Sequence, residues 1–206
     1  MNHLYAPPYD SPIEDLFAKH YTEWAAPGVN LTPQEHVNTI CGLFILDFVI
    51  STPDGYRVAV ECDGKEFHDE SRDEWRDGMI LGEGAVDAIY RLRGEDINFR
   101  LEEVLYVLLR LEPSIFAAKA EARFKVLASP EVVRLNYTHD VDTYITRFAR
   151  GVDRGFLHLE ARRRVIPVGQ RRFWKTAFAY AASVNGGRLD DVIDQFRRQN
   201  GRNQSH

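Results

Sequence analysis

The sequence predicts an α/β protein whose first half builds a mixed β-sheet in the element order αβββαβ and whose second half is a mostly helical extension. Apolar runs of strand length, separated by turn sequences, follow one another between residues 35 and 63. An amphipathic helical pattern covers 94–111, and beyond Pro113 apolar residues recur at spacings of three and four. We therefore expect a core domain over 1–112 and a basic, mostly helical extension over 113–206.

The predicted core begins with a helix from Ser11 to about Trp24. Ser11 is a good N-cap, Pro12 suits the first helical position, and Glu14 lies three residues after the cap, as in a capping box. Three strands are predicted next, and the turn sequence Thr-Pro-Asp-Gly at 52–55 joins the second and third in a hairpin. The three strands cover Glu35–Ile40, Leu43–Ser51 and Tyr56–Asp63.

A helix, a strand and a longer helix complete the predicted core. They cover 69–81, 86–92 and 94–111. Helical spacing of apolar residues predicts four further helices in the extension. These cover 114–128, 141–150, 170–183 and 189–198.

Composition excludes several classes of protein. Hydrophobic residues make up 44% of the chain, which suits a folded core, and no apolar run approaches the ~18 residues of a membrane span. The first five residues lack the basic and apolar regions of a signal peptide. Cys41 and Cys62 lie within apolar stretches, which is typical of small core residues in a reducing compartment. We therefore expect a cytoplasmic protein without a membrane partner.

Charge is divided unevenly along the chain. Residues 1–120 carry 10 basic and 22 acidic residues, whereas residues 121–206 carry 16 basic and 9 acidic ones. The basic residues of the second half are clustered and are nearly all arginine, which favours bidentate phosphate contacts. Chance variation of the surface charge is the alternative. The predicted phosphate contacts are Arg162, Arg163, Arg164, Arg171, Arg172 and Lys175.

Carboxylates stand at unexpected places in two neighbouring strands. Asp47 interrupts an otherwise apolar strand, and Glu61 and Asp63 end the next strand on one face, because side chains alternate along a strand. Such carboxylates repel one another, and a hard divalent cation with oxygen ligands, Mg²⁺ or Mn²⁺, would resolve the repulsion. The sequence therefore predicts a metal site with Asp47, Glu61 and Asp63 as ligands. The alternative for Asp47 is a buried structural acid that backbone amides satisfy.

These residues resemble the motifs of the PD-(D/E)XK nuclease superfamily, and most closely those of very-short-patch-repair-type endonucleases and small restriction-endonuclease-like proteins. The resemblance covers residues 11–110 and depends on the joint order and spacing of the motifs. They are Ser11-Pro12-Ile13-Glu14, Asp47-Phe48-Val49, Glu61-Cys62-Asp63-Gly64 with His68, Arg72 with Arg76-Asp77, and Arg91 or Arg93.

The resemblance implies a restriction-endonuclease-like core and a Mg²⁺-dependent endonuclease that cuts DNA in repair, restriction or anti-phage defence. It adds Glu14, Lys65 and His68 to the three predicted metal ligands as catalytic residues. The family places a lysine where this chain has Asp63, so Lys65 or His68 is expected to take over its role. It also adds DNA contacts by Arg72, Arg76, Arg91 and Arg93.

Simpler interpretations stay open for several of these residues. Glu14 can be a capping residue alone, His68 a loop residue, and the charges at 69–77 a salt-bridged helix face. Two other functions also stay open. The chain can be an inactive nuclease-fold protein that binds DNA or a partner, or a nuclease subunit that acts as a homodimer or within a larger assembly.

Overall fold

The computed structural model describes residues 4–64, 70–150 and 153–202. The protein is an α/β protein with one six-stranded mixed sheet in the order β1-β2-β3-β4-β6-β5. The strands are β1 Asn30–Thr39, β2 Gly42–Ser51, β3 Arg57–Asp63, β4 Ala88–Arg93, β5 Thr143–Arg150 and β6 Asp153–Arg163. The helices are α1 Pro12–Glu23, α2 Glu70–Gly82, α3 Gly94–Leu111, α4 Ala120–Leu127, α5 Pro130–Val133, α6 Phe173–Ser183 and α7 Leu189–Arg202.

The element order of the first half is the predicted αβββαβ. Strands β1, β2 and β3 are antiparallel neighbours, β3 and β4 are parallel, and β6 pairs antiparallel with both β4 and β5. The parallel pair requires a crossover, and α2 supplies it. The predicted helix over Ser11–Trp24 is confirmed, since Ser11 caps α1 by accepting the N–H of Glu14.

The sheet is covered by helices on both faces. Val58 and Val60 of β3 belong to a large apolar cluster with residues of α1 and α3, and both are fully buried. Ala59, between them, packs on the opposite face against Ile80 of α2 and Trp174 of α6. The predicted alternation along β3 is therefore confirmed. Burial of each valine side chain stabilises the folded state by on the order of 1.5–3 kcal/mol. This burial holds β3 in place, and with it the polar residues that follow Val60.

The helix predicted over 141–150 is wrong, because this segment forms β5. The strand β6, which was not predicted, lies between β5 and β4. In β6, buried Leu157, Leu159 and Ala161 alternate with polar residues, as in a strand that is buried on one face. The second half of the chain therefore contributes two strands to the sheet of the first half. No helix among the described residues is long and apolar enough to cross a membrane.

Candidate active site

Asp47 lies where β2 and β3 stop pairing. The last paired residues are Phe48 and Val60, and beyond them the Asp47 Oδ2 atom accepts the Cys62 N–H at 2.7 Å. A carboxylate therefore takes the place of a backbone acceptor at this end of the hairpin. On the other side of β2, the backbone of Gln34 has a positive φ of 49° between two paired positions of β1. Strands β1 and β3, the two neighbours of β2, thus both depart from regular pairing opposite Asp47.

The surroundings of Asp47 disfavour its charged form. Burial raises the pKa of Asp47 to about 6, against the lowering effect of the Cys62 N–H. The charges of Glu14 and Asp63 raise the pKa further, and Arg76 lowers it. Glu14 of α1 and Asp63 of β3 therefore lie within electrostatic reach of Asp47.

Glu61 is the most buried of the predicted ligands on β3, with 5% of its surface exposed. Burial raises its pKa to about 7, Arg76 opposes this rise, and the charge of Asp47 adds to it. Arg76 Nη2 donates to Glu61 Oε1 at 3.0 Å and to the Ile45 carbonyl at 2.6 Å. Glu61 and Asp47 therefore act on each other electrostatically, as the hairpin predicts.

Glu14 has a structural role as well as a place near the site. The Ser11 hydroxyl donates to one carboxylate oxygen of Glu14 at 2.7 Å, and the Gln34 side-chain amide donates to the other at 3.2 Å. Glu14 is 5% exposed, and its charge affects the pKa of both Asp47 and Cys62. Its part in helix capping and its position beside Asp47 are thus compatible.

Behind the carboxylates lies a buried network of ion pairs centred on Asp77, which is fully buried. Arg91 donates to its carboxylate through Nε at 3.1 Å and Nη2 at 2.7 Å, and Arg162 donates at 2.6 Å. Burial alone would raise the pKa of Asp77, but Arg91 and Arg162 hold it below its usual value. Arg91 Nη1 also lies 3.6 Å from Asp63 Oδ2, so the network reaches the predicted metal site.

The arginines predicted to bind DNA on α2 and β4 all have protein partners. Arg72 pairs with Asp190 of α7 at 2.8 Å. Arg76 donates to Glu61, and Arg91 donates to Asp77. Arg93 pairs with Glu95 and lies over the Phe156 ring, 4.4 Å from its centre. Residue 69 lies outside the described residues; the rest of the charged helix face predicted for 69–77 is thus partly salt-bridged.

The predicted phosphate contacts of the second half differ in their surroundings. Arg163 is buried and donates to the Tyr90 hydroxyl at 2.9 Å, whereas Arg164 is exposed and pairs with Asp87 at 3.4 Å. Arg162 pairs with Glu160 at 3.2 Å as well as with Asp77, and Arg172 pairs with Asp142 at 2.7 Å. Arg171 and Lys175 lie beside the N-terminus of α6 and line an open groove there.

Lys65 and His68 lie outside the described residues, so the choice between them stays a prediction. Within 4–64, 70–150 and 153–202, no three His, Cys, Asp or Glu side chains are grouped so that they could hold a metal ion, so the structure does not bring the predicted ligands Asp47, Glu61 and Asp63 together as a set of three. The hydrogen bonds to Asp47 and Glu61 each use one carboxylate oxygen. The second oxygen of each residue can therefore serve a hard cation, and these oxygen donors fit Mg²⁺ or Mn²⁺.

Sequence reasoning missed the polar residues that β6 adds. Glu160 is the register partner of Arg91, and His158 Nε2 lies 3.7 Å from Glu160 Oε1. The alternation of Leu157 and Leu159 with these polar residues was the signal that could have revealed them. Their strand places them beside the Asp77 network.

Comparison of the chain with protein-family models, with curated proteins and with solved structures gave no match. The resemblance to the PD-(D/E)XK superfamily therefore stays a prediction from the motifs of this chain.

Proposed function

We propose that the protein is a metal-dependent DNA endonuclease that hydrolyses phosphodiester bonds. The observation that carries this proposal is the pair of Asp47 and Glu61 at the open end of the β2–β3 hairpin. Burial raises the pKa of both carboxylates, to about 6 and about 7; the charges of Glu14 and Asp63 add to the rise for Asp47, and the charge of Asp47 adds to the rise for Glu61. Shifts of this kind, produced by desolvation and a specific charged neighbour, are typical of functional sites. The observed αβββαβ order supports the proposal, because the resemblance implies the same order.

In this proposal Asp47 and Glu61 bind one Mg²⁺ or Mn²⁺ ion, and Asp63 assists them. The ion would stabilise negative charge on the phosphate and make a water molecule more acidic. Arg76 holds Glu61 through one oxygen and fixes its direction. Arg91, which Asp77 fixes from behind, places a positive charge near Asp63. Glu14 adds negative charge beside Asp47 and thereby favours a cation there.

His68 is the proposed proton-transfer group. A neutral imidazole can accept a proton near pH 7, whereas a lysine needs a large depression of its pKa to do so. We expect His68→Ala to slow cleavage by about a hundredfold or more, as for general acid–base groups, and Lys65→Ala to slow it less. Single-turnover cleavage by both variants at saturating Mg²⁺ measures this. A near-normal His68→Ala beside an inactive Lys65→Ala would assign the role to the lysine.

Incubation of the purified protein with supercoiled and linear plasmid tests the proposed activity. We expect nicked or linear products in Mg²⁺ or Mn²⁺ and none in EDTA. Asp47→Asn, purified in parallel, controls for a contaminating nuclease. No cleavage by the wild-type protein over a range of plasmid sequences and both metals would contradict the proposal.

An inactive nuclease-fold protein that binds DNA is the second candidate. The contacts of Arg76 with Glu61 and of Arg91 with Asp63 favour it, because protein cations already compensate two of the carboxylates. This candidate predicts that the wild-type protein shifts the plasmid in a gel but leaves it supercoiled in either metal. Nicking that disappears in Asp47→Asn would exclude it.

A further inference from the structure

A groove of about 740 Å³ opens between α6, α7 and the segment that follows β6; we call it the α6 groove. Its size falls within the range of about 300–1,000 Å³ that is usual for ligand sites. Its lining includes the apolar residues Ile166, Pro167 and Phe196, which we call the apolar wall. The lining also includes Arg171, Arg172 and Lys175, which we call the basic wall. The α6 groove therefore combines an apolar surface with a cluster of positive charges.

The positive charges of the α6 groove are only partly used within the protein. Arg172 is held by Asp142 at 2.7 Å and by the Asp140 carbonyl at 2.7 Å. Arg171 and Lys175 are exposed, and within the described part of the chain neither forms an ion pair. Both flank the first turn of α6, where Arg172 provides no side-chain cap. The Lys175 N–H donates to the Arg172 carbonyl at 3.2 Å, and the dipole of this helix end adds to the attraction for an anion.

Polar atoms in the walls of the α6 groove lack partners. The Gln170 Oε1 atom and the Tyr180 hydroxyl are buried and have no hydrogen-bond partner within the described residues. A buried polar group without a partner costs roughly 1–3 kcal/mol, so native proteins rarely keep one without a reason. A ligand with both donors and acceptors would satisfy these two atoms.

We propose that the α6 groove binds one unpaired nucleotide of a DNA strand. The phosphate would lie against Arg171 and Lys175, the base against the apolar wall, and the base edge near Gln170 and Tyr180. Every nucleobase presents an apolar face and a polar edge, and ion pairs with the phosphate account for the basic wall. A paired nucleotide in a duplex does not offer its base faces in this way. The inference rests on the proposed function and specifies its substrate as DNA with an unpaired segment.

A continuous set of contacts links the α6 groove to the proposed catalytic carboxylates. Arg171 and Arg172 line both the α6 groove and a smaller neighbouring cavity of about 140 Å³. Arg162 also lines that cavity and donates to Asp77 at 2.6 Å. Asp77 in turn binds Arg91, which lies 3.6 Å from Asp63. These contacts connect the α6 groove to the proposed catalytic carboxylates through the protein interior, since Asp77 is fully buried, and the smaller cavity is also lined by the acidic residues Glu74 and Asp142.

Binding of fluorescent oligonucleotides, measured by anisotropy in EDTA, tests the inference without cleavage. The probes are a ten-nucleotide single strand and the blunt duplex of the same sequence. We expect the single strand to bind more tightly and the double variant Arg171→Ala/Lys175→Ala to weaken its binding by on the order of tenfold. The log–log salt slope should flatten by about 1.4, at ~0.7 for each lost single-strand contact.

The matched control is Arg123→Ala/Lys125→Ala, which removes the same charge from exposed residues of α4. Because α4 packs on α3, at the other face of the sheet, this variant should bind the single strand as the wild-type protein does. Tyr180→Phe removes only the unpartnered hydroxyl and should weaken binding of the single strand while leaving the salt slope unchanged.

Equal losses in the α6 and α4 variants, or equal affinity of the wild-type protein for single strand and duplex, would overturn the inference. Either result can occur while plasmid cleavage still depends on Asp47, in which case the proposed function stands. The reverse result, binding that depends on Arg171 and Lys175 without any cleavage, would support the groove and contradict the nuclease.

Discussion

Asp47→Asn and Glu61→Gln should each slow DNA cleavage by at least about a hundredfold. Each substitution removes one negative charge from the proposed metal site and keeps the size of the side chain. Loss of a metal-mediated stabilisation of several kcal/mol corresponds to two or more orders of magnitude in rate. The amide oxygens can still accept the Cys62 N–H and the Arg76 hydrogen bond, so the fold should be retained. Single-turnover cleavage at pH 8 in Mg²⁺ measures the effect.

The control for this loss is Asp194→Asn, which neutralises an exposed carboxylate on α7. It should cut DNA at the wild-type rate. Circular dichroism and oligonucleotide binding in EDTA should be unchanged for all three variants, since the proposed DNA groove does not contain the substituted residues. A Glu61→Gln variant that cuts DNA normally would place the active site elsewhere.

Asp77→Asn should lower the free energy of unfolding by about 3–5 kcal/mol, the usual cost of removing one partner from a buried ion pair. The carboxylate of Asp77 is fully buried and accepts three hydrogen bonds from Arg91 and Arg162. Without its charge, two guanidinium groups with little exposed surface lose their nearest counter-ion. Urea denaturation in EDTA, followed by circular dichroism, measures the change.

The exposed pair of Arg72 and Asp190 provides the comparison for Asp77. Their side chains are 44% and 56% exposed, so solvent screens the pair. Asp190→Asn should therefore change the free energy of unfolding by less than about 1 kcal/mol. If Asp77→Asn were no more destabilising than Asp190→Asn, the network around Asp77 would not hold β4, β6 and α2 together.

The order of the first six elements was predictable because its local signals agree with its tertiary packing. Ser11 and Pro12 mark the start of α1, and the apolar runs around 43–51 and 56–63 have the length and turn sequence of a hairpin. The nearness of Asp47 and Glu61 followed from that hairpin. The hydrogen bond that fixes Asp47 to the Cys62 N–H did not follow, because it depends on where the two strands separate.

The strand β5 was missed because its sequence satisfies two periods. Val141, Tyr144, Ile145 and Phe148 have the spacing of a helix face, yet the segment is rich in the β-branched and aromatic residues that suit a strand. Pairing with β6 decides between them, and such a long-range contact is not visible in a local pattern. Burial of a side chain also depends on long-range contacts, so the sequence did not show that Arg163 is buried and Arg171 is exposed.

Titration of the metal-free protein with Mn²⁺ by isothermal calorimetry tests the metal site most directly. At pH 8 the carboxylates of Asp47 and Glu61, with pKa values of about 6 and 7, are ionised and can bind a cation. We expect saturable binding to the wild-type protein, and binding weakened by at least about tenfold in Asp47→Asn and Glu61→Gln, because each loses a charged ligand. Equal Mn²⁺ affinity in the wild-type protein and both variants, or no binding to any of them, would contradict a metal centre at this end of the β2–β3 hairpin.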